Sequence, residues 1–404
     1  LSTPSLKDQA ICALRDSGIN VVDLGLVSTT TYYFAVSQFG HDGGLQVSAS
    51  HNPKQYNGFK LVRQRAAALS GDSGIKELYK IISNETYSPL LKQPGSLEIK
   101  TKVADYVVEQ YLKDIEVSNI KPFKIVIDPA NAMGVIDYQA LFDRLPQCQI
   151  VKINFDLDGT FPNHEADPLK PENTEQLRKR VIAEKADFGI ASDGDSDRIF
   201  IIDETGKTIS SSILFTIISQ IELDHNPGQK LAYEIRLGKL IEDELADKAS
   251  QLIQTPVGHS IIKKIMTDNE VLFGGEISGH YFFRMSCGTF EAPALLVAKF
   301  MQYISEQNQP VSEIVAKYQK YISSGEINTE LDSKEMIDQK ITELKVIYHQ
   351  GEQIMIDGLK VNFSDYWFSV RASNTEPVIR LVVEANNQEL MEKKRDEILA
   401  IIRS

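Results

Sequence analysis

Cysteine is scarce in this chain: 404 residues include only Cys12, Cys148 and Cys287, and no two of them form a CxxC pair. This usage excludes a disulfide-linked scaffold and a cysteine-ligated zinc site, and it favours a reducing cytoplasm. Long apolar runs are absent as well. The longest, near residues 213–221, is interrupted by polar residues, so no segment predicts a membrane span.

Positive charge is also in deficit, because 43 Lys and Arg face 56 Asp and Glu, for a net charge of −13. Such a field disfavours a nucleic acid or an anionic membrane as partner, and an anionic substrate would need arginines and lysines concentrated in a cleft. The chain starts without an initiator methionine and without the basic and apolar regions of a signal peptide. We therefore expect a chain that is processed or truncated at its front.

Strand-like and helix-like segments alternate through most of the chain. Residues 124–128, 188–191 and 199–203 are apolar strands, and a helix is predicted over 173–186. This alternation predicts α/β units with mixed, largely parallel sheets, whereas the close strands after residue 327 predict a smaller C-terminal α+β domain. The length requires several domains. The predicted boundaries are 1–104, 105–206, 207–322 and 323–404.

Three acidic residues, Asp193, Asp195 and Asp197, alternate with small residues directly after an apolar strand. Carboxylates this close repel one another strongly unless a cation lies among them. Oxygen ligands favour Mg²⁺ or Ca²⁺ over Zn²⁺. An acidic turn on a solvated surface is the alternative, but the position at a strand end and the strict alternation favour a metal site. Arg198 follows directly and is a candidate contact for a phosphate beside the ion.

A second polar loop, Ser-Ala-Ser-His-Asn-Pro, begins at Ser48, and Lys60 follows it. A serine hydroxyl is a weak nucleophile, but activation or prior phosphorylation can make it a relay for a phosphoryl group. The alternative is a turn that polar side chains shape before the proline. For this loop in isolation the alternative is the stronger, and chemistry alone does not choose between Ser48 and Ser50.

Two further loops carry groups that suit a sugar phosphate. In residues 274–280, Glu276 and Ser278 can bond vicinal hydroxyls and His280 can move protons. A tight turn with a chance histidine explains that loop equally well. In residues 371–377 the guanidinium and hydroxyl groups suit a phosphate, and Arg380 follows. A polar hairpin turn is the alternative there, but two arginines around Ser-Asn-Thr favour phosphate.

Together the four loops resemble those of the α-D-phosphohexomutase superfamily, specifically its phosphomannomutase/phosphoglucomutase branch. Ser-Ala-Ser-His-Asn-Pro is similar to the phosphoserine loop of the family, with Ser50 as the modified serine. Asp-Gly-Asp-Ser-Asp-Arg resembles the metal loop, with Ser196 where the family usually has glycine. Residues 274–280 resemble the sugar-binding loop and residues 371–377 the phosphate-binding loop. The order and spacing agree over essentially the whole chain, which implies three α/β domains and a smaller C-terminal α+β domain around a central cleft.

The resemblance implies reversible phosphoryl transfer between the 1- and 6-positions of mannose or glucose phosphate, through phosphoserine and a 1,6-bisphosphate. It implies Mg²⁺ bound by Ser50, Asp193, Asp195 and Asp197, and a hexose 1,6-bisphosphate primer. The implied partner is a phosphorylated hexose, with no nucleic acid or membrane, for a monomer or homodimer. Weaker matches around residues 233–236 and 255–260 add Arg236 and His259 to the site. The implied catalytic residues are Ser50, His51, Lys60, Arg198 and His280; the sugar-binding residues are Arg236, His259, Glu276 and Ser278; the phosphate-binding residues are Arg371, Ser373, Asn374, Thr375 and Arg380.

Two departures from the family pattern define the alternatives. Members normally begin a few dozen residues earlier, so we expect a missing strand in the first domain and impaired activity. Phosphoglucosamine mutases tend to carry glutamine where Ile277 stands, which disfavours that activity. A catalytically silent sugar-phosphate sensor and a magnesium phosphatase are the alternatives of other classes. The preferred sugar is not determined by these residues.

Overall fold

The computed structural model describes residues 1–373 and 376–404, in which helices and strands alternate along most of the chain. The α-helices are α1 (Thr3–Asp16), α2 (Thr29–Gln38), α3 (Lys76–Ser83), α4 (Val103–Tyr111), α5 (Gly134–Phe142), α6 (Glu175–Glu184), α7 (Ser211–His225), α8 (Leu240–Leu245), α9 (His259–Asp268), α10 (Pro293–Gln307), α11 (Val311–Ala316), α12 (Lys334–Ile347) and α13 (Gln388–Arg403). The strands are β1 (Val21–Asp23), β2 (Gly43–Val47), β3 (Phe59–Arg63), β4 (Leu97–Ile99), β5 (Lys124–Asp128), β6 (Gln149–Lys152), β7 (Phe188–Ser192), β8 (Ile199–Asp203), β9 (Lys230–Glu234), β10 (Gln251–Thr255), β11 (Phe273–Gly275), β12 (Tyr281–Arg284), β13 (Thr289–Glu291), β14 (Ile322–Ser323), β15 (Ile327–Glu330), β16 (Glu352–Ile354), β17 (Leu359–Asn362), β18 (Tyr366–Ala372) and β19 (Val378–Ala385).

The chain forms two compact units, each assembled from separate stretches of sequence. The first unit comprises Leu1–Ile209, Met266–Phe273 and Ser278–Ile314. The second unit comprises Ser210–Ile265, Gly274–Ile277 and Val315–Ser404. The acidic turn and the serine loop therefore belong to the first unit, and the arginines of residues 371–380 belong to the second.

The central sheet of the first unit has the strand order β6-β5-β7-β8. Residues of β7 and β8 are all buried, which explains why their sequences are apolar on both faces. Strands β6, β5 and β7 are parallel, whereas β8 runs antiparallel to β7. This reversal lets a short loop join the two strands, and that loop is the acidic turn.

The front of the first unit carries two small strand pairs. Strand β1 pairs in parallel with β4, and β2 pairs antiparallel with β3. Strand β1 is only three residues long. The backbone leaves extended geometry at Gly25, which has φ +70°, and the Asp23 side chain accepts a hydrogen bond from the Gly25 N–H at 2.8 Å. Helix α2 begins behind Ser28, whose hydroxyl caps the N–H of Thr31.

The C-terminal part of the second unit is an antiparallel sheet with two helices. Residues at alternate positions of β17, β18 and β19, among them Val361, Phe368 and Leu381, form a core with α12 and α13. Because side chains alternate across a strand, the residues between them point to the other face. Arg371 and Arg380 lie on that other face, directly opposite each other in register. The separate α+β character of this part matches the prediction.

Among the described residues, no helix reaches both the length and the apolar character needed to cross a membrane.

Candidate active site

The acidic turn lies between β7 and β8, and its three carboxylates are almost fully buried. Asp193, Asp195 and Asp197 are 0%, 1% and 2% exposed, and one oxygen from each lies within 4.8 Å of the others. The turn closes through left-handed backbone at Ser196, which has φ +59°. Buried carboxylates at this spacing would repel one another without a compensating positive charge.

The serine loop contacts this turn directly. The Ser50 hydroxyl lies 3.3 Å from Asp193 Oδ2 and 3.1 Å from His51 Nδ1. A Cβ atom at Gly194 would meet the Ser50 carbonyl oxygen at 2.3 Å. Glycine at position 194 is therefore required by the close approach of the two loops.

Ser48, the other candidate nucleophile, faces the same turn but contacts a different carboxylate. Its hydroxyl is 3.4 Å from Asp195 Oδ2 and accepts a hydrogen bond from the Ser50 N–H at 3.0 Å. Ser50 itself has left-handed backbone, with φ +53°. The geometry thus gives Ser48 a role in holding the loop and presents the Ser50 hydroxyl between Asp193 and His51.

Three basic side chains surround the carboxylates. Lys60, on β3, brings its Nζ to 2.5 Å from Asp195 Oδ2 and 2.7 Å from Asp197 Oδ2. His280 Nε2 lies 3.2 Å from Asp197 Oδ1. Arg198 Nε lies 3.7 Å from Asp193 Oδ2 and 3.4 Å from His280 Nε2. The first unit thus brings together the acidic turn, the serine loop, Lys60, Arg198 and His280.

These charges separate the protonation behaviour of the acids. Burial raises the pKa of Asp193 well above its ordinary value, and the neighbouring Asp197 and Asp195 charges raise it further. Burial acts on Asp197 in the same direction, but Lys60 and His280 outweigh it and hold the pKa of Asp197 well below its usual range. Burial would lower the pKa of Lys60, but the two carboxylates raise it well above its ordinary value. The lysine is thus a strongly held ammonium ion.

His51 has a different electrostatic environment from Lys60. Burial lowers the pKa of His51, and the positive charge of Arg198 lowers it further. A histidine with a lowered pKa is neutral near pH 7 and is able to accept a proton. The His51 ring is therefore suited to act as a base beside the Ser50 hydroxyl.

The residues of the turn fit a divalent cation. Asp195 Oδ1 is buried and has no hydrogen-bond partner within residues 1–373 and 376–404. Such an oxygen is costly to bury unless something binds it. With three carboxylates converging, this side of the turn could hold a metal ion through oxygen ligands, as Mg²⁺ and Ca²⁺ prefer.

Sequence reasoning missed two groups beside the turn. Thr29, at the start of α2, donates its hydroxyl to Asp195 Oδ2 at 2.6 Å, and its N–H donates to the Asp195 carbonyl at 2.9 Å. Glu291, on β13, is fully buried and has a carboxylate oxygen within 4.8 Å of ligand atoms of Asp197 and His280. Three consecutive threonines at the start of a helix were the signal for Thr29. No local signal marks Glu291, because only the tertiary fold brings it here.

The second unit holds a separate cluster of arginines and carboxylates. Arg236 follows β9 and is 7% exposed; its Nη2 donates to Glu234 Oε2 at 2.9 Å. Arg236 Nη1 lies 2.5 Å from Glu326 Oε2, and Arg380 Nη1 lies 3.2 Å from Glu326 Oε1. Arg371 Nη2 is 3.7 Å from Glu326 Oε2. Three predicted site arginines therefore converge on one carboxylate.

The remaining predicted residues are divided between the two units. Glu276 is buried in the second unit and accepts a hydrogen bond from the Gly258 N–H at 2.9 Å, next to His259 at the start of α9. Ser278 belongs to the first unit, where its hydroxyl lies 2.9 Å from His280 Nδ1. Ser373 is buried after β18. Asn374 and Thr375 lie outside the described residues.

Family comparisons cover almost the whole chain. Models described as phosphoglucomutase/phosphomannomutase match in order: alpha/beta/alpha domain I over residues 1–88, domain II over 104–206, domain III over 210–321 and the C-terminal domain over 326–401.

Individual proteins similar to the chain belong to the same family or carry names of the same activities. A phosphomannomutase of Salmonella montevideo is 34% identical over 416 residues, covering 100% of this chain and 90% of that protein. A protein named phosphohexose mutases, from Xanthomonas campestris pv. campestris, is 33% identical, covering 100% of this chain and 89% of its own. The crystal structure of a phosphoglucomutase/phosphomannomutase family protein from Burkholderia thailandensis superposes with a TM-score of 0.87 at 30% identity, covering 99% of this chain and 86% of that one.

Proposed function

Because the chain belongs to the phosphoglucomutase/phosphomannomutase family, we propose that it is a phosphohexomutase that moves phosphate reversibly between the 1- and 6-positions of mannose or glucose phosphate. The observation that carries this proposal is the Ser50 hydroxyl, 3.3 Å from a buried carboxylate of a triad that could hold a metal ion. A hydroxyl in that position is suited to carry a phosphoryl group beside a cation.

In the proposed reaction, the phosphoryl group on Ser50 passes to a free hydroxyl of the sugar phosphate. The bond from Ser50 oxygen to phosphorus breaks, a bond from the sugar oxygen to phosphorus forms, and the sugar hydroxyl gives up its proton. The product of this half-reaction is a hexose 1,6-bisphosphate. Its other phosphate returns to Ser50 in the same way, which leaves the isomeric monophosphate and restores the phosphoserine.

We propose roles for side chains of the first unit from the contacts that they make. His280 contacts Asp197 and Arg198 and is a candidate to take the proton of the sugar hydroxyl. His51 is the candidate base for the Ser50 hydroxyl at 3.1 Å. Lys60 and Arg198 supply positive charge where the phosphoryl group would carry negative charge. Mg²⁺, held by Ser50 and the three aspartates, would supply further electrostatic stabilisation to the transferring group.

The remaining predicted residues are proposed to recognise the parts of the substrate that do not react. Glu276, a buried carboxylate, is suited to accept hydrogen bonds from sugar hydroxyls, and Ser278 and His259 are proposed to assist it. Arg371 and Arg380, with Ser373, Asn374 and Thr375, are proposed to bind the phosphate that stays on the sugar. Arg236 is proposed to contact both the sugar and this phosphate. A cluster of cations also explains how a chain with a net charge of −13 can bind an anion.

The test combines phosphopeptide mapping with a turnover assay on the purified chain. We expect a phosphoryl group on the peptide that contains Ser50, and conversion of mannose 1-phosphate to mannose 6-phosphate when a catalytic amount of hexose 1,6-bisphosphate is present. Ser50→Ala is expected to abolish conversion while the thermal unfolding midpoint changes little. Ser48→Ala is the matched control and is expected to remain phosphorylated on the peptide that contains Ser50. Unaltered turnover in Ser50→Ala would reject the relay.

The same assay separates the alternative activities. Release of inorganic phosphate without the isomeric product would indicate a phosphatase. Faster turnover of glucosamine 1-phosphate than of either neutral sugar would indicate a phosphoglucosamine mutase. Binding of sugar phosphate with no phosphorylated fraction would indicate a silent sensor.

A further inference from the structure

Glu326 lies at the centre of the arginine cluster of the second unit. Its two carboxylate oxygens contact Arg236 at 2.5 Å, Arg380 at 3.2 Å and Arg371 at 3.7 Å. A carboxylate has the planar pair of oxygens that guanidinium groups bind, and a phosphate offers the same kind of oxygen acceptor. Glu326 thus occupies the position that an anion bound by these three arginines would take.

Two of these arginines have N–H donors that Glu326 does not satisfy. Arg371 Nε and Arg380 Nε are buried and have no hydrogen-bond partner among the residues that the structure describes. Burial lowers the pKa of Arg371, and the positive charges of Arg236 and Arg380 lower it further, although Glu326 opposes this. Glu326 therefore leaves these two buried N–H donors without an acceptor, and an anion with more oxygens would satisfy them better.

A second carboxylate in this cluster, Glu234, is held in place more firmly than Glu326. Glu234 is 0% exposed, pairs with Arg236 through both oxygens, and accepts the Ile277 N–H at 3.2 Å. The Glu326 side chain is 28% exposed and follows Gly325, which has φ +67° and no neighbouring atom within 4 Å of the position that a Cβ would take. Glu326 can therefore move away from the arginines with few other contacts to break, whereas Glu234 cannot.

We propose that Glu326 is an internal competitor for the phosphate-binding arginines: its carboxylate binds Arg236, Arg371 and Arg380 when no ligand is bound, and the phosphate of the ligand displaces it. The inference rests on the proposed function for the identity of that ligand as a sugar phosphate. An internal carboxylate reduces the repulsion among three neighbouring guanidinium groups, and it weakens the binding of phosphate, which favours release of product.

The test is calorimetric titration of the full chain with inorganic phosphate and, separately, with glucose 6-phosphate. Removing the competing charge in Glu326→Gln is expected to tighten phosphate binding about tenfold, equivalent to about 1.4 kcal/mol. Glu330→Gln changes an exposed residue on the adjoining strand β15 and is the matched control, expected to bind as the unaltered chain does. In turnover, Glu326→Gln is expected to lower KM while kcat does not rise.

A structural role for Glu326 predicts the opposite. If the carboxylate is needed to hold the arginines in place, Glu326→Gln will bind phosphate more weakly, and either weaker or unchanged binding overturns the proposal. Should Glu326→Gln fail to fold, Glu326→Asp keeps the charge but shortens the side chain by one methylene; it is expected to bind phosphate more tightly than the unaltered chain, and equal or weaker binding overturns the proposal. Because these titrations need no turnover, their result stands apart from the mutase assay.

Discussion

Magnesium binding at the acidic turn should raise the thermal stability of the first unit. The perturbation is addition of Mg²⁺ to the unaltered chain and to Asp195→Asn. Asp195 is chosen because its Oδ1 is buried without a hydrogen-bond partner among the described residues, while its Oδ2 already receives the Lys60 ammonium and the Thr29 hydroxyl. The asparagine keeps an oxygen for Thr29 but removes one of the three charges that a cation would bind.

The magnitude follows from mass action on the folded state. A ligand that binds only the folded protein, at a hundred times its dissociation constant, stabilises it by about 2.7 kcal/mol. A unit of this size shifts its unfolding midpoint by roughly 2–4 °C for each kcal/mol. We therefore expect Mg²⁺ to raise the midpoint by about 5–10 °C. In Asp195→Asn the rise is expected to shrink to a few degrees, on the order of a third of that value.

The assay is differential scanning calorimetry over a series of Mg²⁺ concentrations. NaCl at equal ionic strength is the control for screening among the carboxylates, because salt alone weakens their repulsion. Asp8→Asn, an exposed acid on α1, is the control for the substitution itself and should keep the full Mg²⁺ response. The interpretation is wrong if Mg²⁺ acts no more strongly than NaCl, or if Asp195→Asn responds as fully as the unaltered chain.

Three further substitutions test separate features. Gly194→Ala should displace the serine loop, since its Cβ would meet the Ser50 carbonyl at 2.3 Å; we expect a loss of about 1–3 kcal/mol in the free energy of unfolding, measured by urea titration, and a large drop in kcat. Thr29→Val removes the hydroxyl that donates to Asp195 and should reduce the Mg²⁺-induced shift of the unfolding midpoint, measured by calorimetry. Glu384→Gln tests a buried acid: burial raises the pKa of Glu384 to about 7 from 4.5, although the indole N–H bonded to it and Lys360 oppose this. The protonated form of Glu384 is favoured in the folded state. The unaltered chain should therefore lose stability relative to Glu384→Gln as the pH rises from about 4.5 through about 7, by on the order of 3 kcal/mol. The measurement is urea unfolding at each pH, monitored by tryptophan fluorescence.

Each of these has an outcome that contradicts it. Full activity in Gly194→Ala would mean that the two loops do not need their close approach. An unchanged Mg²⁺ response in Thr29→Val would mean that this hydroxyl does not position the turn. A constant difference between Glu384→Gln and the unaltered chain across the whole pH range would mean that the pKa of Glu384 is the same in the folded and unfolded states.

The strands that the sequence predicted best are those buried on both faces. Strands β5 and β8 have the expected bounds, because a continuous apolar run between polar residues leaves no other place for a strand to begin or end. The pairing of β8 with β7 was less accessible, because local pattern does not record which strands become neighbours. Once they are neighbours, the short connection between them requires the antiparallel direction, since a parallel strand needs a longer crossover.

Much of the chemistry of the candidate site was predictable from the sequence. The acidic turn and the serine loop are each a few residues long, so the residue types that matter are neighbours in the chain and their spacing is visible. What stayed open was the choice between Ser48 and Ser50. The structure supports the proposal of Ser50, since the Ser50 hydroxyl lies between Asp193 and His51.

Sequence alone thus determined which groups are present: buried strands that end in carboxylates, a hydroxyl loop, and arginines around a polar turn. Only the tertiary structure decided which opposite charges lie next to the buried charged groups. Lys60 reaches Asp197 across 137 positions of the chain, and Glu326 reaches Arg236 across 90. Contacts between such distant positions depend on how whole elements pack, because attraction between charges acts through space and not along the chain. The net interactions of each buried charge were therefore set by the fold.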